Sequence, residues 1–436
     1  MTSFISLDRL RFLFSRFAER LWVRPLVICL LSVVVVFAAK FIDGTELANL
    51  APLVEKDSVE TLLSIMASSM LVIATLSVSS MVAAYAAASN SATPRSFSLV
   101  VADDVSQNAL STFVGAFIFS VVAITAVKNT FYDKAGLFVL FVLTVFVFAV
   151  VILTFVRWVD SIARLGRVGS TIDKVESATE KALIRRRDKP TLGGVSILGS
   201  PIKGQAVHTA KIGYVQHIDM AVIQDWANDA DVSVVLSALP GTFVSPDQAL
   251  AYVTISSDEW SELDCACLID AFHIGKDRTF EDDPRFGLVA LSEIAARALS
   301  PAVNDPGTAI KVIGTLVRLL SILNSPSKIQ SKNQVEFDRV AVPEVLVSDM
   351  FEDAFTAIAR DGAGSIEVCV RLQKALNSLE SLNNDDIRKT ARYHKDLALK
   401  RACSALEIEE DLVAVKQAAS KGGALNRGSL DCKRFI

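Results

Sequence analysis

The stretch from Arg278 to Asp305 gathers side chains able to hold a ligand: Arg278, Asp282, Asp283, Arg285, Asn304 and Asp305, with His273 and Ser300 close by in the chain. Carboxylates with amide and carbonyl oxygens suit a hard divalent cation such as Ca²⁺ or Mg²⁺. The same residues also read as structural punctuation, and this is the simpler reading. Asn304-Asp305-Pro306 carries the cap residue and first-turn proline that start a helix. Arg278 and Arg285 then pair with Asp282, Asp283 or Asp305 and hold two helices at a fixed angle. No nucleophile with a base is apparent: the histidines are His208, His217, His273 and His394, and no nucleophile elbow occurs. A Gly-x-x-x-x-Gly-Lys-Ser/Thr loop for phosphates is absent, and Cys265-x-Cys267 lacks the second pair that zinc requires. The expectation is a protein that is not an enzyme and carries no cofactor.

A second group is Ser64, Ser68, Thr75 and Ser79. At 100° per residue they fall in one narrow helical sector, within a long run free of charge. Several copies of such a helix would offer hydroxyl oxygens to a permeating ion, with an acidic preceding loop favouring cations. Against this stands close packing, because Ser64-x-x-x-Ser68 and Ser79-x-x-x-Ala83-x-x-x-Ala87 are small-residue repeats that let helices touch without a pore. Either reading implies association through this helix.

The elements that must position both groups follow from composition. Of 436 residues, 51% are hydrophobic, and the mean hydropathy is +0.42. Such a surplus needs lipid-facing segments. Four runs, 25–39, 61–94, 105–127 and 135–156, lack charge and approach the ~20 residues a span requires. The first is completed by Phe41 and Ile42 if Lys40 snorkels. The Phe-rich third and fourth runs read as the outer, lipid-facing layer, with Tyr132 and Trp158 as interfacial anchors. Arg9, Arg11, Arg16, Arg20 and Arg24 precede the first run, and Arg157, Arg164, Arg167 and Lys174 follow the fourth. Basic flanks stay inside, so both termini are expected to be cytoplasmic. No intramembrane carboxylate, histidine or arginine marks a pump. The net charge of −4 gives no reason to expect nucleic acid. The six cysteines have no framework spacing, which suits unpaired thiols in a reducing compartment.

The chain therefore reads as an α-helical membrane protein of four transmembrane helices with a cytoplasmic α+β domain, a small β-rich subdomain followed by a helical one. The expected parts are a basic amphipathic helix (1–24), the four spans (25–158), a charged connecting helix and linker (159–190), the β-rich subdomain (191–257), the helical subdomain (258–421) and a flexible tail (422–436). Strands are expected near 206–207, 213–218, 232–237 and 250–255, with a helix after the cap Asp219. From residue 345 the pattern is helical, broken near Gly362-Ala363-Gly364 and Asn383-Asn384.

Arg278-Thr279-x-x-x-Asp283-x-x-Phe286-Gly287, followed by Arg297-Ala298-Leu299-Ser300-Pro301-x-x-Asn304-Asp305-Pro306-x-Thr308-Ala309 behind four spans, resembles the bacterial predicted-membrane-protein family called domain of unknown function twenty-two fifty-four. The resemblance implies an inner-membrane location, four spans and a cytoplasmic C-terminal domain, with no settled activity to carry over. Two functions are open. One is a homo-oligomeric channel for ions or small solutes, lined by the second span and controlled by the cytoplasmic domain. The other is a membrane-anchored sensor or scaffold that binds a metal ion, a small ligand or a protein through the Arg278–Asp305 region.

Overall fold

A computed structural model describes residues 23–44, 52–91, 93–96, 99, 104–164, 167–197, 204–255, 263–326 and 335–420. The expected amphipathic helix at 1–24 and the tail at 422–436 lie almost wholly outside them. The chain divides into two compact units, with the break between Thr171 and Ile172.

The first unit is a helix bundle: α1 (Val23–Ala38), a 3-10 turn (Ala39–Gly44), α2 (Lys56–Ser91), α3 (Asp104–Lys128) and α4 (Lys134–Ile162). The third apolar run is not an outer layer. Phe113 and Phe119 are fully buried, as are Ala109, Ala116 and Ala123. Its phenylalanines share the helix with small residues, and these admit neighbours on several sides. Gly115 lies so close to α1 that a Cβ there would sit 2.4 Å from Ile28 Cγ2. α4 does face outward, with Phe146 and Phe148 exposed, but Trp158 is buried against Phe113 and Phe155 rather than anchored at an interface. The charged helix after the last span is also not continuous with it, since α4 ends at Ile162 and α5 (Val168–Asp188) begins anew.

Asp43 has a role that local pattern does not reveal. Its carboxylate accepts the backbone N–H groups of Asp133 (3.0 Å) and Gly136 (2.5 Å), so a residue following α1 caps the first turn of α4. The Asp133 side chain makes no cap bond itself. Lys40 lies 3.9 Å from Asp43 and over the Phe131 ring. Asp43 is therefore committed to a helix terminus and not offered to passing cations. Asp43→Ala is expected to cost the bundle about 1–2 kcal/mol, read as a lowered thermal midpoint in detergent, with Asp43→Asn losing less. An unchanged midpoint in both variants would contradict the cap.

The second unit continues with β1 (Gly194–Ser196), β2 (Gln205–His208), β3 (Gly213–Ile218), α6 (Met220–Asp229), β4 (Val232–Leu236), β5 (Phe243–Val244), β6 (Ala249–Ile255), α7 (Ala266–Asp270) and β7 (Phe272–Gly275). It ends with α8 (Pro284–Ala298), α9 (Pro306–Ser321), β8 (Phe337–Val342), α10 (Val347–Asp361), α11 (Ile366–Glu380), α12 (Asp385–Ala405) and α13 (Glu409–Ser420). One sheet runs β1-β8-β4-β6-β2, with β8 parallel to both β1 and β4; the other runs β5-β3-β7 and is antiparallel. The β-prone runs become β2, β3, β4 and β6. β7 and β8 come from beyond residue 257, so the sheets draw on both stretches of the chain. Asp219 caps α6 by accepting the Val222 N–H, and Val215, Ile223, Val234, Leu250, Phe272 and Val340 close a core between sheet and helix.

Among the described residues five helices are long and apolar enough to cross a membrane: Val23–Asp43, Lys56–Ala87, Val105–Lys128, Lys134–Ile162 and Pro306–Asn324. The last belongs to the second unit. It buries Ala309, Val312, Ile313, Leu316, Leu319 and Leu320, while Arg318 pairs with Glu176 (2.6 Å) and Lys311 with Asp173 (2.8 Å) on α5.

Candidate functional site

The Arg278–Asp305 residues do not form one cluster. The turn before α8 holds two adjacent carboxylates with opposite surroundings. Asp283 is 2% exposed. It caps α8, accepting the N–H groups of Arg285 (3.1 Å) and Phe286 (3.2 Å), while its Oδ2 meets Arg278 Nε at 2.7 Å. Pro284 in the first turn completes the same start signal that Asp305-Pro306 gives α9. Burial pushes the Asp283 carboxyl above the ordinary carboxylate range, against the pull of Arg278 and the two N–H groups. The Pro240-Gly241 turn closes over it: Gly241 has φ +93°, and a Cβ there would lie 2.3 Å from Asp283 Oδ2. Only glycine meets both demands.

Asp282 turns the other way. Its Oδ2 lies 2.6 Å from His217 Nδ1 on β3, its Oδ1 lies 3.4 Å from Arg185 Nη1, and its carbonyl accepts from Arg186 Nη2 at 3.4 Å. Burial works against its charge, but His217, Arg185 and Arg186 more than compensate, holding the carboxyl below its usual range. Arg186, almost wholly buried, has its pKa lowered by that burial despite the fields of Asp282 and Asp283. This half of the site joins α5, the β5-β3-β7 sheet and the turn before α8.

The Arg285 side chain forms no ion pair with Asp282, Asp283 or Asp305, and only its backbone N–H serves Asp283. Its guanidinium reaches α10, with Nε 2.6 Å from Asp353 and Nη1 2.8 Å from Asp349. Those aspartates lie more than sixty residues along the chain, and no local spacing points to them. Asp305 pairs with no arginine either; it caps α9 through Thr308 N (3.1 Å) and Thr308 Oγ1 (2.5 Å), which holds its carboxyl below the usual range. Asn304 takes a left-handed conformation, φ +49°, and Ser300 bonds its own turn through Arg297 O. Among the described residues no three His, Cys, Asp or Glu side chains are grouped to hold a metal ion.

Sequence reasoning missed His217, Arg185 and Arg186. The crossing of α5 over α8 was equally invisible: a Cβ at Gly287 would fall 1.7 Å from Thr179 Oγ1. Of the other chemically capable groups, His394 is buried beside Phe351 and Tyr393, and burial with the nearby Arg401 pushes it down to about 4. Burial pushes the Cys369 thiol up to about 11. Cys29, Cys265, Cys267 and Cys369 are free, but Cys403 is disulfide-bonded, which departs from the expected set of unpaired thiols.

In the bundle, α2 presents Val59, Leu63, Met66, Met70, Ala74, Ser77, Met81 and Ala84 inward. Ser64, Ser68, Thr75 and Ser79 lie on the exposed side. Ser68 Oγ donates to Ser64 O (2.9 Å), Thr75 Oγ1 to Leu71 O (2.8 Å) and Ser79 Oγ to Thr75 O (3.1 Å). The small hydroxylated face thus takes no part in packing within the bundle, where close approach is admitted at Gly115 and Gly136 on other helices.

Long apolar helices in a bundle, followed by a helical unit with small sheets, define a multi-pass membrane protein. The family described as "Predicted membrane protein (DUF2254)" matches residues 18–378, and the chain belongs to it. Similar curated proteins include the "Uncharacterized protein MT1328" and the "Uncharacterized protein Rv1290c" of Mycobacterium tuberculosis and the "Uncharacterized protein Mb1321c" of Mycobacterium bovis. Each is 37% identical over 117 residues, 26% of this chain and 22% of the relative. The chain thus matches about a fifth of the length of these relatives. No solved structure matches.

Proposed function

We propose that the chain is a homo-oligomeric inner-membrane protein of four spans, in which α2 lines a path for ions or small solutes through Ser64, Ser68, Thr75 and Ser79. The unit beginning at Ile172 lies on the cytoplasmic side and governs the path. The observation that carries this reading is the exposed hydroxylated face of α2, opposite its buried seam. A hydroxyl that has bonded its own backbone still presents a lone pair outward, which water or a desolvating ion uses and lipid does not. Four spans rather than five are supported by α9, whose apolar face packs within its own unit and whose Lys311 and Arg318 bind α5. The basic residues around both ends of the bundle support internal termini. The sensor reading draws less support, because Arg278, Asp282, Asp283, Arg285 and Asp305 are committed to partners of their own chain.

Reconstituted into liposomes, the protein is expected to carry a flux that Ser68→Trp and Thr75→Trp reduce to that of protein-free vesicles, with oligomeric state retained. No flux for the wild type under any ionic condition, together with unaltered assembly in both variants, would end the channel reading.

A further inference from the structure

We propose that His217 is a proton-operated latch, binding Asp282 more firmly when charged and so fastening the C-terminal end of α5 to the β5-β3-β7 sheet. His217 on β3 stands directly opposite His273 on β7, with ring centroids 5.9 Å apart and planes 24° from parallel. The His217 edge meets Asp282 at 2.6 Å, and Asp282 in turn meets Arg185 and Arg186 of α5. One carboxylate is therefore shared by a sheet and by a helix that follows the last span in sequence.

Among the described residues, the charged and titratable groups gathered at the His217–Asp282 contact include Arg185 and Arg186 from α5, which meet Asp282, and His273 from β7, which stacks on His217. Asp283 and Arg278, next along the turn, neutralise each other. With a neutral ring, Nδ1–H already donates to the ionised Asp282 carboxylate. A proton added at Nε2 puts a full charge on the donor and turns that contact into a salt bridge, which adds a coulombic attraction that the neutral ring lacks. Asp282 is the nearest charge, so its attraction outweighs the more distant guanidiniums. A second proton on His273 would place two cations ring against ring, which limits the device to one proton. The sign follows: a histidine that gains a carboxylate partner adds stability at low pH and loses it as pH rises through its own titration. Asp282 stays ionised throughout, held below the usual carboxylate range by His217, Arg185 and Arg186 despite burial.

The latch bears on the proposed path only because α5 follows the fourth span; its test needs no flux. Hydrogen exchange of the full chain in nanodiscs, corrected for chemical exchange, would follow residues 181–190 and 278–286 from about pH 5.5 to about pH 8.5. Protection is expected to fall about fivefold over that range in the wild type. It should lose its pH dependence in His217→Gln and keep it in His273→Gln. A flat wild-type profile, or the wild-type slope in His217→Gln, would overturn the proposal. If His217→Gln does not assemble, imidazole resonances of the wild type decide, and a His217 ring that does not titrate in this range overturns it as well. A protein that conducts nothing leaves these readouts intact, so failure of the path and failure of the latch are separate results.

Discussion

Gly287→Leu is expected to detach α5 from α8 within the second unit. The two helices cross so closely that even a methyl group at position 287 would meet Thr179 Oγ1 at 1.7 Å and Thr179 Cβ at 2.7 Å. Thr179 cannot swing away cheaply, because it is buried and its hydroxyl bonds Val175 O at 2.6 Å. Overpacking a tight core position costs roughly 1–3 kcal/mol where neighbours can yield. Here both sides are helix, so the upper end or more is expected from leucine. The readout is hydrogen exchange along 172–188, with loss of protection there and in 306–321, whose Lys311 and Arg318 hold α5 by charge. Gly287→Ala combined with Thr179→Gly should restore much of that protection. If Gly287→Leu leaves exchange in both segments unchanged, the close crossing is not what holds α5.

Asp283→Ala is expected to destabilise the second unit by about 4 kcal/mol. Removing one member of a buried ion pair strands the other, a loss of roughly 3–5 kcal/mol, and an N-cap adds about 1 kcal/mol that overlaps with it. Arg278 would be left stacked on the Phe286 ring, 5.2 Å from its centroid, with no carboxylate. Asp283→Asn keeps shape and cap while losing charge, so its loss should be about half as large. The thermal midpoint of the 172–420 unit distinguishes them; equal midpoints for the two variants would show that the ion pair contributes nothing beyond the cap.

These two residues show how much of the site was legible in the chain. Asp305-Pro306 reads as a helix start and α9 begins there, because capping is a bond between residues two or three apart; Asp283, taken from the sequence as an ion-pair partner, starts α8 in the same way in the structure. The buried face Leu288, Leu291, Ile294, Ala295 and Ala298 repeats at helical spacing, and it is buried as that spacing requires. The partners of the arginines were not legible. Arg285 finds Asp349 and Asp353 rather than its near neighbours, because two of those neighbours are already used by helix termini and Asp282 by His217. In the bundle, counting phenylalanines placed α3 outside. Its small residues place it inside, since a helix is sorted by how closely neighbours approach and not by mean bulk.

By itself the sequence determined what depends on local periodicity and composition: long apolar helices, the α2 stripe that shares one face, the strands β2, β3, β4 and β6, and the caps at Asp219 and Asp305. The tertiary structure decided what depends on distant segments meeting. β8 inserts between β1 and β4 because parallel strands need long crossovers, which leave no mark at short range. Asp43 caps a helix ninety residues away, and Asp282 links His217 to Arg185 and Arg186, because a buried charge or an orphan N–H is satisfied by whatever partner folding brings within bonding distance.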